Sequence, residues 1–286
     1  MVRTLVVVAI LVASGCAGHA VRPEAVQHPS RSASPARATP LPSATTPATA
    51  TLGTVAPVWL GKRPLPLAAN GLGAIQPTPP ELHDRAFTLP DTLDPLPGSG
   101  FASRVDRVPA EVLARSSWSP RCPVAAENLR WVRLVFWGFD GRRHTGELLA
   151  NADAAPALVD VFRQLYAARF PLEEMRITRA DEIDAPPTGD GNNTGSFTCK
   201  PLRGSTTWSE HAYGRAVDVN PFDNPYVEGD VLIPELASAY LDRSRQAAGM
   251  IHPADVVTRA FSSVGWTWGG NWRHSKDFMH FSANGR

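Results

Sequence analysis

Two short stretches of the chain carry two imidazoles and two carboxylates. His211 and Asp218 stand seven residues apart, and Asp277 and His280 stand three apart near the C-terminal end. A catalytic zinc ion typically keeps three protein ligands from the His, Asp, Glu and Cys set and leaves a fourth position for water. A carboxylate beside the ion that is not a ligand can take a proton from that water. On this chemistry His211, Asp218 and His280 are the expected zinc ligands and Asp277 the general base.

The small residues between the ligands suggest how they are positioned. Gly214 and Ala216 lie between His211 and Asp218, where a backbone must turn tightly or approach closely. Ala216, Val217, Asp218, Val219 and Asn220 alternate as a half-buried strand does, with Val217 and Val219 on one face and Asp218 on the other. A strand holds a ligand rigidly, as a metal site requires. For Asp277 and His280 two readings stand. A helical turn brings residues three apart onto one face, and Phe278 and Phe281 equally suit a strand.

These residues resemble the signature of the zinc D-alanyl-D-alanine carboxypeptidases and the related L-alanyl-D-glutamate endopeptidases, the VanY-like metallopeptidases. That signature has the form SxHxxGxAxD, followed later by a carboxylate and a final His. Here it is filled by Ser209, His211, Gly214, Ala216 and Asp218, then Asp277 and His280. The likeness extends over about 118–281 and includes Asn192-Asn193-Thr194, Asn220-Pro221, Asn224-Pro225-Tyr226 and Trp268-Gly269-Gly270-Asn271-Trp272. The resemblance implies the same roles: His211, Asp218 and His280 on Zn2+, Asp277 as base. It also implies peptidoglycan stem peptides as substrate, with D-alanyl-D-alanine carboxypeptidase activity expected. Cleavage between L-Ala and D-Glu stands as the alternative, and a zinc-containing wall-binding protein without turnover as the reading from another class.

One position departs from the family pattern. Better-known members carry an Arg upstream of the first ligand, whereas the basic candidates here are Lys200 and Arg203, outside the usual Gly-Tyr-Arg context. Arg grips a carboxylate bidentately and Lys acts as a point charge. Lys200, Arg203 and Ser209 are the substrate-binding candidates, and Ser209 equally suits a plain turn start.

The N-terminal end indicates where such chemistry takes place. A short basic start precedes an apolar run over 5–13, well short of the roughly 20 residues that span a bilayer but suited to an export signal. It closes on Ala13-Ser14-Gly15-Cys16, which resembles a lipoprotein box; residues 1–15 then form the signal and Cys16 carries the lipid that anchors the chain to the membrane facing the wall. Ala13 stands where Leu is commoner, so plain secretion is the alternative. Beyond Cys16 remain Cys122 and Cys199, an even pair in an exported chain and hence an expected disulfide, with two free buried thiols as the competing view.

Residues 16–56 are rich in Ala, Pro, Thr and Ser and read as a disordered tether. Residues 57–105 are Pro-rich and non-periodic, an extended arm clasping the domain through Trp59 and Phe87 or else a second linker. Residues 106–286 suffice for one α+β catalytic domain with a small antiparallel sheet bearing the zinc site. Strands are expected over 131–139, 145–149 and 175–178, and helices over 156–169, 234–243 and 253–263. The Gly, Asn and Pro-rich stretch 184–193 reads as a surface loop.

Lys and Arg number 28 against 27 Asp and Glu, and no basic run or Gly-rich phosphate loop appears, so nucleic acid is not an expected partner. A monomer is the expectation. His144 and His252 read as surface or satisfied core residues, and His274 as a residue at the edge of the cleft. Trp208, Trp268 and Trp272 flank the motifs as pocket wall or core.

Overall fold

The computed structural model describes residues 55–202 and 204–286. Cys16, the signal, most of the tether and Arg203 lie outside the described residues. The fold is α+β, with short antiparallel sheets and three α-helices among the described residues. Among them, no helix is long and apolar enough to cross a membrane.

The largest sheet grows from the expected hairpin. Strands β2 (Leu129–Gly138) and β3 (Arg143–Asn151) pair antiparallel around Asp140-Gly141, where Gly141 takes a φ of 72°. Strand β1 (Ser103–Arg107) adds antiparallel to β2, and the two-residue β4 (Pro171–Leu172) meets the end of β2 in parallel. Helix α1 (Ala110–Arg115) follows β1. Helix α2 (Ala155–Ala167) begins with Pro156 in its first turn, where the missing N–H costs nothing. It buries Leu158, Phe162 and Leu165 against the sheet. Helix α3 (Val256–Ser263) opens on Asp255, whose side chain accepts from the Thr258 N–H at 2.9 Å.

The expected strand over 175–178 is confined to β5 (Glu174–Met175), parallel to β6 (Asn193–Thr194). No α-helix forms over 234–243; only a short 3-10 turn, Ser238–Leu241, appears. The backbone there is bonded elsewhere: the Glu235 carbonyl accepts from Gln76 N–H of the arm, and Leu236 N–H donates to the Gly189 carbonyl. Nor is 184–193 wholly a surface loop, because Asp190 and Asn192 at its end are buried.

The motifs fall on two further sheets. β7 (Ala216–Asp218) is followed by the hairpin β8 (Tyr226–Glu228) and β9 (Val231–Ile233), then by β10 (Thr267–Trp268), β11 (Lys276–Asp277) and β12 (His280–Ser282). The sheets run β10-β12-β7 and β11-β8-β9, antiparallel throughout. The main core lies between the large sheet, α2, α3 and the β7 sheet, where Phe261 stacks on Phe281 with ring centroids 3.9 Å apart. A second cluster joins Leu82 and Phe87 of the arm to Phe222, Tyr240 and Met250, while Trp59 is only partly buried against it. The Cys122–Cys199 disulfide, with a Cα–Cα distance of 5.7 Å, packs with a third cluster around Val112, Leu129 and Phe197.

Candidate metal centre

Strand register brings two ligand candidates together. In the β12–β7 pair His280 lies directly opposite Asp218, a cross-strand spacing at which side chains on one face touch. His280 Nδ1 is 3.1 Å from Asp218 Oδ1. The strand reading of 216–220 holds only to Asp218, since Asn220 enters the left-handed region with φ 43° and turns the chain away. Asp277 and His280 are not on a helical turn; they sit on two successive strands, and the Met279 carbonyl between them accepts from Val219 N–H at 2.9 Å.

His211 arrives from a 3-10 turn, Glu210–Tyr213, that Ser209 starts: its Oγ accepts from His211 N–H at 3.3 Å. Gly214 ends the turn with φ 67°, and a Cβ there would meet Asn151 N at 2.6 Å, so neither the turn nor its seat on β3 admits a larger residue. His211 Nε2 then lies 3.2 Å from His280 Nδ1 and 3.3 Å from Asp218 Oδ1. Each ring is oriented from behind. His211 Nδ1 bonds the Ser196 carbonyl at 2.6 Å, and His280 Nε2 bonds the Arg286 backbone oxygen at 2.9 Å.

Those outer bonds assign the tautomers. With both far nitrogens donating to carbonyls, two imidazole lone pairs and a carboxylate oxygen converge, all three atoms within 4.8 Å of one another. Such an array calls for a cation at its centre. Tetrahedral coordination with bonds of about 2.0–2.1 Å sets ligand atoms about 3.3 Å apart, close to the spacings found here. The three residues therefore fit a zinc-type ion, and Asp218 keeps 29 % of its side-chain surface exposed.

The electrostatics show a cluster that favours positive charge, met by a proton on His280 that a bound cation would displace. Burial pushes the Asp218 carboxyl up, but the charges and hydrogen bonds of His211 and His280 outweigh it and hold the group well below the usual carboxylate range. Burial lowers His280, yet Asp218 and Asp277 raise it to about 9. Asp277 is pushed up to about 7, by burial first and then by the negative Asp218, with His280 and its backbone N–H pulling the other way. Its Oδ1 is buried without a hydrogen-bond partner. Gly269 makes room for it, since a Cβ there would meet the Asp277 carbonyl oxygen at 2.7 Å.

Of the two basic candidates, Arg203 lies outside the described residues. The Lys200 side chain is exposed, and its backbone carbonyl accepts from Ser209 N–H at 3.3 Å. Trp272 lies beside the site with its ring 5.4 Å from that of His280, whereas Trp268 is buried in the core. His274 is exposed. His144 is a satisfied residue, as read from the sequence: it meets Asp91 at 2.9 Å and Asp140 at 3.1 Å. Sequence reasoning missed Ser196 and Arg286, which act through backbone oxygens and leave no residue-type signal.

Residues 203–283 match the family model described as D-alanyl-D-alanine carboxypeptidase, a segment that contains all four site residues. The resemblance read from the sequence holds over that segment. No curated protein and no solved structure matches the chain.

Proposed function

We propose that the chain is an exported zinc peptidase that removes the terminal D-alanine from peptidoglycan stem peptides. The observation that carries this reading is the convergence of His211 Nε2, His280 Nδ1 and Asp218 Oδ1, with the Asp277 carboxyl near enough for the Asp218 charge to raise it. A zinc ion held by these three residues would supply Lewis acidity toward water and the scissile carbonyl. Asp277 takes the proton of the attacking water on its free Oδ1 and returns it to the leaving amine. No protein donor competes for that oxygen. Ser209 sets the turn that presents His211, and Lys200 and Arg203 are the cationic residues for the substrate carboxylate.

Export is supported by the apolar run over 5–13, by the box ending at Cys16 and by the disulfide, a bond of oxidising compartments. Lipidation at Cys16 places the peptidase on the membrane beneath the wall; the intact mass of the mature protein from a membrane fraction reads it directly. For the activity, the zinc-loaded chain is incubated with purified muropeptides and the products are weighed by mass spectrometry, with Asp277→Asn as control. Loss of one alanine supports the carboxypeptidase. A new D-Glu-headed peptide makes it an endopeptidase, and no product from a folded, zinc-replete chain makes it a wall-binding protein.

A further inference from the structure

The segment 192–196 is a bracket behind the metal centre. At its far end the Ser196 carbonyl fixes the His211 ring. One residue earlier, Gly195 exchanges two backbone hydrogen bonds with Asp218, at 2.9 and 3.1 Å. Thr194 Oγ1 accepts from the Asn220 N–H at 3.2 Å. Two of the three ligands are thus oriented by one short run of backbone.

The near end of the bracket is held by the arm. Asn192 accepts from Phe222 N–H at 2.8 Å and donates to Glu173 Oε2 at 2.9 Å. Glu173 is fully buried. Arg85 grips it with Nε and Nη2, both at 2.7 Å, and gives Nη1 to the Asp190 carbonyl at 2.8 Å. Arg85 is itself 2 % exposed. The planar fork of Arg matches a carboxylate and a carbonyl at once, as Lys cannot.

We infer that Arg85 of the N-terminal arm is a positioning residue for the metal centre, acting through Glu173 and Asn192 on the bracket that orients His211 and Asp218. The inference rests on the zinc reading above. Residues that orient metal ligands from behind typically change metal affinity 10–100-fold when lost. Arg85 works at one remove further, so about tenfold is expected.

The test uses the full mature chain and reads zinc affinity by competition with a chromophoric chelator, alongside the urea unfolding midpoint. Arg85→Lys keeps the charge beside Glu173 and loses the fork. The double variant Arg85→Met with Glu173→Met removes both buried charges together, which avoids the unpaired carboxylate that could unfold Arg85→Met alone. Both should stay folded and bind zinc about tenfold more weakly, with faster dissociation. Thr78→Val is the control: Thr78 fastens the arm to the Leu236 carbonyl at 2.6 Å and to Ala239 N–H at 2.8 Å without touching the bracket. It should lower the unfolding midpoint and leave zinc affinity unchanged. Wild-type affinity in the folded Arg85 variants, or an equal loss in Thr78→Val, would overturn the inference. A wild-type chain that binds no zinc would overturn the metal reading itself, and this inference with it.

Discussion

Asp223 offers a test in which the structure sets the size of the effect. The residue is fully buried, its Oδ2 takes one hydrogen bond from Asn192 at 3.2 Å, and its Oδ1 meets no partner. Burial, with a smaller push from Glu173, raises its carboxyl from 3.8 to about 8, against the pull of Arg85, Asn192 and Arg243. Between those values the folded chain holds a proton that the unfolded chain has released, so stability falls as pH rises through this window. At 1.36 kcal/mol per pKa unit, the loss reaches about 3 kcal/mol at pH 6 and at most about 6 kcal/mol above pH 8. Relaxation around the buried charge reduces the upper figure. Asp223→Asn removes the titration while keeping the shape. Urea unfolding followed by tryptophan fluorescence, with chelator present and the disulfide intact, is run on both chains from pH 4.5 to 9. The variant should gain on the wild type steadily with pH, by several kcal/mol overall. Two parallel stability curves would refute the reasoning.

Asp277→Asn should retain zinc and lose about 10²–10⁴ in turnover, the usual worth of a general base; full turnover on muropeptides would remove the base assignment. Replacing Cys122 and Cys199 by Ser opens a loop with a sequence separation of 77 residues, a cost of about 4 kcal/mol in the chain-entropy view. An unchanged urea midpoint would contradict it. Deleting 284–286 takes away the oxygen that orients His280 and should weaken zinc about tenfold, measured by chelator competition; equal affinity would show that the strand alone holds the ring.

What the sequence disclosed and what it hid divide along a physical line. The meeting of His211, Asp218 and His280 was legible because metal chemistry restricts residue type and the small residues around them restrict the backbone. The β2–β3 hairpin and α2 were legible because their periodicity and turn residues are local. The stretch 234–243 reads as a helix in sequence, but its Glu235 carbonyl and Leu236 N–H are committed to the arm and to Gly189, partners far away in sequence. Asp190 and Asn192 sat in a stretch whose composition is that of a surface loop, yet both are buried under Arg85. Nothing in the composition of 57–105 marks Arg85 as different from the other arginines; its meaning comes from Glu173, 88 residues on.

The distances along the chain between the arm and its anchors also order events in time. Thr78 bonds a residue 158 positions later and Gly73 one 162 positions later, so this early part of the described chain can dock only after Glu235 and Leu236 exist. Contacts of such long separation form slowly, because loop closure precedes any gain from them. Arg85 meets Glu173 across 88 residues, so the bracket over His211 and Asp218 stays unbraced until that loop has closed. Were the chain exported unfolded, as proposed above, the bracket behind His211 and Asp218 would be braced only after the crossing.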